Sequence, residues 1–114
     1  MNKLKLFLLI LFSQFLNSQS IIGAWEKYET NSDGSTHRHV VIFSEGFKSI
    51  SVFDSSNGKF ISTNGGSWFL EGSTLTEKIE FDTQDQEKVG STIKLELDIK
   101  ENTVTDINSG KTWN

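Results

Sequence analysis

Polar and apolar positions alternate along this chain with a period of two wherever the pattern is clean. Ser91 to Lys100, STIKLELDIK, sets Ile93, Leu95, Leu97 and Ile99 on one face and Lys94, Glu96, Asp98 and Lys100 on the other, which is the pattern of a strand with one side in a core. Leu75 to Asp82, LTEKIEFD, repeats the plan with Leu75, Ile79 and Phe81 inward, and puts Glu77 on that same apolar face. Short clusters of turn residues separate such runs: NSDGS at Asn31 to Ser35, SEG at Ser44 to Gly46, DSSNGK at Asp54 to Lys59, TNGG at Thr63 to Gly66, EGS at Glu71 to Ser73, KEN at Lys100 to Asn102 and NSGK at Asn108 to Lys111. They supply the positive φ angles and capping side chains that tight turns require. The segments between them are rich in Val, Ile, Thr, Phe and Trp, which is strand chemistry. No window carries the i, i+3, i+4, i+7 apolar stripe of a helix. Helix is limited to a turn or two over Thr83 to Lys88, where TQDQEK reads equally as a loop.

About eight short strands with turn signals at this spacing predict an all-β chain, an antiparallel up-and-down meander closed as a small barrel or folded as a sandwich. Closure removes the exposed sheet edges, so the barrel is the expected architecture. Its interior is either filled by side chains or holds one small ligand. Met1 to Ser20 stands apart from this pattern. It has Lys3 and Lys5, an apolar run from Leu6 to Leu16, and then Asn17 to Ser20. That three-part plan predicts a secretory signal peptide over residues 1–20, cut after Ser20 or one or two residues earlier, followed by one domain over 21–114. The run is too short for a membrane anchor, which needs roughly 20 apolar residues. The chain has no Cys, so no disulfide staples the fold and no lipid-attachment Cys holds it to a membrane. A free monomeric domain is expected, exported to the periplasm or secreted. Without Lys3 and Lys5 it carries nine basic against fifteen acidic side chains, a net of −6. Such a surface repels phosphate backbones, so nucleic acid is not an expected partner.

Gly23-Ala24-Trp25 opens the first strand. Gly offers nothing to pack, and Trp demands space and a partner for its indole N–H, so close packing is expected there. In an up-and-down chain this triplet resembles the Gly-x-Trp signature of lipocalins and related calycins. TNGGSW at Thr63 to Trp68, LTEKIEF at Leu75 to Phe81, VGSTIKLELDI at Val89 to Ile99 and the final Trp113 are similar, in their order, to small exported lipocalin-like proteins of Gram-negative bacteria. The resemblance implies a barrel whose Trp25 plugs the closed end and which holds a small apolar molecule; it supplies no catalytic residues, and no cofactor is expected. It also implies a cation stacked on Trp25. The chain stops at Asn114 without the basic residue that would supply it, and Arg38, the only Arg, is the candidate.

Three groups of side chains are candidate chemistry. The aromatics Trp25, Phe43, Phe47, Phe53, Phe60, Trp68, Phe69, Phe81 and Trp113 form the core of a small Cys-free domain, or in part line a pocket. Glu77 on an apolar face must be paired, reach solvent or be protonated. It is placed to hold a ligand head group or to pair with Arg38 or a Lys. The expected ligand-binding set is Glu77, Phe43, Phe53, Trp68, Phe81 and Leu95. His37 and His39 in THRH share a strand face, a geometry open to zinc, copper or haem iron, but a third His and any Cys are missing, so solvated histidines and no metal site are expected. No strained Gly-x-Ser-x-Gly elbow occurs, and the acidic pairs Glu77/Glu80 and Asp82/Asp85, which resemble a glycosidase dyad in type, are expected to be a solvated face of an acidic domain. Two readings follow: a non-enzymatic barrel that binds a small apolar or amphipathic molecule, or a filled barrel whose loops contact a protein or envelope partner. Cavity size separates them.

Overall fold

In a computed structural model that describes residues 20–114, the expected meander forms eight strands. They are β1 (Gly23–Thr30), β2 (Thr36–Ser44), β3 (Phe47–Asp54), β4 (Phe60–Glu71), β5 (Thr74–Asp82), β6 (Thr92–Ile99), β7 (Val104–Asp106) and β8 (Thr112–Trp113). Each pairs antiparallel with the next. The first and last come together beyond β8, where Glu26 and Asn114 exchange backbone N–H···O bonds of 2.8 and 2.9 Å. The result is a nearly closed up-and-down barrel. Of the expected signal peptide, residues 1–19 lie outside the described residues.

Alternation decides what faces inward. The register sets Trp25 beside Val41 and Val41 beside Ile50 on the inner face. Leu75 meets Leu95, and Ile99 meets Val104, which in turn meets Trp113. The buried cluster of Ile21, Val41, Phe43, Leu75, Leu97, Ile99 and Val104 lies toward the end where the chain enters. Ile21 closes that end and is 1% exposed. The Trp25 indole N–H donates to the Ile21 carbonyl at 2.8 Å. Gly23, between them, has φ of +138°, a backbone state that side-chain-bearing residues rarely adopt. The Gly therefore turns the chain so that the Trp reaches back over the plug, which is the reason for a Gly two residues before a Trp.

A second pair of glycines sets a bulge. Gly66 pairs with Ile79 but Gly65 pairs with Phe81, so Glu80 is an extra residue on β5. The extra residue inverts the alternation. Ile79 remains inside, while Phe81, expected inward, turns to the outer wall and lies 40% exposed over Gly65. A Cβ on Gly65 would meet the Phe81 ring at 2.7 Å, and one on Gly66 would overlap the Lys78 carbonyl oxygen. The Asp82 carboxylate accepts the Gln84 and Asp85 amides at 2.9 and 3.0 Å. Asp85 then caps a single 3₁₀ turn, Gln86–Lys88, which is all the helix that TQDQEK forms.

On β6, Leu95, Leu97 and Ile99 follow the expected alternation, but Ile93 is exposed. β7 pairs only with Leu97 to Ile99, so the upper half of β6 has no strand on that side. The aromatics also divide differently from a uniform core: Phe47, Phe60, Phe69 and Phe81 are exposed.

Gly66→Ala is expected to lower stability by about 3 kcal/mol, since a methyl cannot fit the bulge without moving backbone. Gly23→Ala should cost about 1–3 kcal/mol for its positive φ. Urea unfolding checks both, and an unchanged midpoint in either variant would contradict the geometry described.

Candidate functional site

The barrel encloses a cavity of about 290 Å³, at the small end of the roughly 300–1,000 Å³ typical of ligand sites. Its floor is Ile21 and Trp25, and its walls include Val41, Phe43, Ile50, Leu75, Leu95, Leu97 and Val104. Trp113, Lys27 and the β7–β8 hairpin residues Asp106, Ser109 and Lys111 form the upper part. β4 contributes no lining side chain. There the residue paired with Lys48 is Gly66, which puts no side chain between β3 and β5.

A charge pair spans this bare strand. Lys48 on β3 reaches across β4 to Glu77 on β5, Nζ to Oε2 at 2.6 Å. The two residues are 8% and 7% exposed. Lys48 Nζ also stands 5.8 Å from the centre of the Phe43 ring. Two charges in an apolar interior are tolerated only as partners, because either one unpaired would carry an uncompensated desolvation cost. The sequence requirement that Glu77 be paired is met by Lys48.

A second polar cluster sits at the mouth. Glu29 accepts hydrogen bonds from Lys27 at 2.8 Å and lies 2.9 Å from Lys111 Nζ. The Lys27 bond, reinforced by Lys111, holds the Glu29 carboxyl down to about 2. Lys27 Nζ lies 4.4 Å over the Trp113 ring, and His39 meets Trp113 edge-on at 6.3 Å. His39 Nε2 is 3.4 Å from Glu29, a contact that favours the imidazolium. Burial and the neighbouring Lys27 and Lys111 nevertheless push its pKa below the ordinary value. The direction follows burial, because Glu29 already serves two lysines. The cluster joins β1 and β2 to the hairpin that closes the barrel.

Of the expected site residues, Glu77, Phe43 and Leu95 line the cavity. Trp68 stands behind it, edge-on to Phe43 at 5.2 Å, with its indole N–H shared by the Ser44 and Phe47 carbonyls at 2.9 and 3.0 Å. Phe53 and Phe81 do not reach it. Phe53 is on the outer wall beside Phe60, ring centres 6.1 Å apart, and Phe81 is turned outward by the bulge. Arg38 does not stack on Trp25. It lies on the outer face and pairs with Glu26 at 2.9 Å, and the cation over a Trp is Lys27 on Trp113. His37 lies 3.3 Å from the Asn31 amide, and among the described residues no cluster of three or more His, Asp or Glu is placed for a metal ion. Glu80 is the bulged residue, and the Asp82 carboxylate accepts the Asp85 amide in the turn that follows.

Lys48, Lys27, Trp113 and Lys111 were absent from the expected set. Lys48 had a signal: in FKSISVFD it shares a face with Ile50 and Val52, the same exception that singled out Glu77. Lys111 had none, since only the hairpin brings it to Glu29.

Glu77→Leu is expected to cost about 3–5 kcal/mol by stranding Lys48, and the double variant Lys48→Met/Glu77→Leu to recover most of it. Equilibrium unfolding of the parent, each single variant (Glu77→Leu and Lys48→Met) and the double variant would reveal simple additivity if the pair were not coupled. Glu29 titrates lower in the fold than its ordinary 4.5, so it stabilises above pH about 4.5, and that contribution fades as pH falls toward 2. Glu29→Gln should therefore be less stable than the parent by about 1 kcal/mol at pH 6, after discounting for solvent contact, with the gap narrowing in acid. A gap that stays constant from pH 6 to 2 would contradict the mouth cluster. Comparison of the chain with protein-family models, curated proteins and solved structures gave no match.

Proposed function

We propose that this chain is a small exported, lipocalin-like binding protein that takes one small apolar or amphipathic molecule into its barrel and performs no chemistry on it. The observation that carries this reading is the cavity itself. An interior of about 290 Å³, walled mostly by aliphatic and aromatic side chains with the Lys48–Glu77 pair in its wall and Lys27, Asp106 and Lys111 toward the hairpin, has the composition of a ligand site, apolar with a few placed polar groups. A filled barrel has no such space. The aromatics that would fill it, Phe47, Phe60, Phe69 and Phe81, are spent on the outer wall.

A second reading has one observation in its favour. Tyr28, Arg38, Phe53 and Phe60 are neighbours in register across β1 to β4, which forms an outer-wall row of the residue types enriched in protein interfaces. Under that reading the barrel contacts an envelope or protein partner through this row, with or without a ligand inside.

Native mass spectrometry of the protein exported from a bacterial host, with titration of a fluorescent apolar probe, tests the first reading. One molecule bound per chain is expected. Leu95→Trp, which projects an indole into the cavity, should abolish probe uptake while the far-UV signature of β-structure persists. A parent protein that takes up no probe would end the carrier reading.

A further inference from the structure

The cavity wall has hydrogen-bonding capacity that the protein does not use. A lysine ammonium carries three N–H donors, and among the described residues Lys48 gives one, to Glu77 Oε2. Glu77 Oε1 accepts from no residue there, yet no buried side-chain oxygen or nitrogen is left sealed without a partner. Glu77 Oε1 is therefore not sealed in the wall, and Lys48 and Glu77 both line the cavity, so a ligand there meets the spare oxygen and the ammonium. Both belong to side chains more than nine-tenths buried, so they are fixed groups and not surface charges in transit.

The charge around the cavity is already balanced. Lys27, Lys48 and Lys111 stand against Glu29, Glu77 and Asp106, with Lys48 held by Glu77 and the other two lysines by Glu29. An incoming carboxylate would compete with Glu77 for Lys48 and leave two anions facing one cation. An incoming ammonium would leave two cations facing one carboxylate. Either outcome buries an unbalanced charge, which is the costly state. A neutral head group that both accepts and donates meets neither penalty. Its oxygen takes an N–H of Lys48, its own hydrogen goes to Glu77 Oε1, and the ion pair stays whole.

Resting on the carrier reading above, we infer that the cavity selects a neutral ligand with a donor–acceptor head group, an alcohol or primary amide, on a small apolar body. Hydrogen bonds to charged partners are the stronger kind, so this pair discriminates by donation and acceptance as well as by charge.

The test is displacement of the fluorescent apolar probe at pH 7 by three molecules of similar size: 1-octanol, heptyl methyl ether and octanoate. The ether accepts a hydrogen bond but donates none, so it separates head-group recognition from partition into an apolar space. The parent protein should bind 1-octanol about tenfold more tightly than the ether, and octanoate more weakly still. In Lys48→Met/Glu77→Leu, which removes both charges together and avoids a stranded one, 1-octanol and the ether should become equal. Octanoate binding as tightly as 1-octanol, or an alcohol preference that survives in the double variant, would overturn the inference and leave the carrier reading standing. If neither the probe nor any of the three binds, both fall.

Discussion

A barrel must close on itself, and here the closing strands are the shortest. β7 and β8 contribute three and two residues, too few for their own ladder to hold the seam. The seam is held by the Glu26–Asn114 backbone pair, by Lys27 over Trp113, and by Glu29 bound to Lys27 and to Lys111 of the hairpin. These contacts bring the first strand to the last, and without them the sheet would have two open edges and no enclosed interior. The Trp113 ring serves both purposes, since it covers part of the cavity and receives the cation that fixes the seam.

The interior depends on absence as much as on contact. Gly66 leaves β4 bare where Lys48 crosses to Glu77, and the neighbouring bulge turns Phe81 away from the core. A side chain at Gly66 would meet the Lys78 backbone, and a strand without the bulge would direct Phe81 inward. The cavity is thus a product of backbone irregularity in the middle of the sheet. The same device leaves a charge pair in a nearly dry place, where its remaining hydrogen-bonding groups are the strongest polar feature a ligand can meet.

Much of the fold was legible because strands and turns are written locally. STIKLELDIK carries its inner and outer faces in its own alternation, and DSSNGK or NSDGS carries its turn. Glu77 was legible as a site residue for the same reason: an acidic side chain in an apolar alternation is a conflict that burial must resolve. Phe53 and Phe81 were not legible as outer-wall residues. An aromatic fits either face of a strand on composition, and the bulge that decides Phe81 depends on how β4 and β5 align.

The sequence by itself determined the all-β class, the up-and-down order of about eight strands and the need for a partner at Glu77, because each follows from period, turn chemistry or the cost of a buried charge within a short stretch. Only the tertiary structure decided that the partner is Lys48, 29 residues away, and that Lys27 rather than Arg38 supplies the cation over a Trp. It also decided that the interior holds a cavity and is not filled. These outcomes depend on register between strands, on one extra residue at a bulge and on which strands meet at the seam, and none of those is encoded in any single segment.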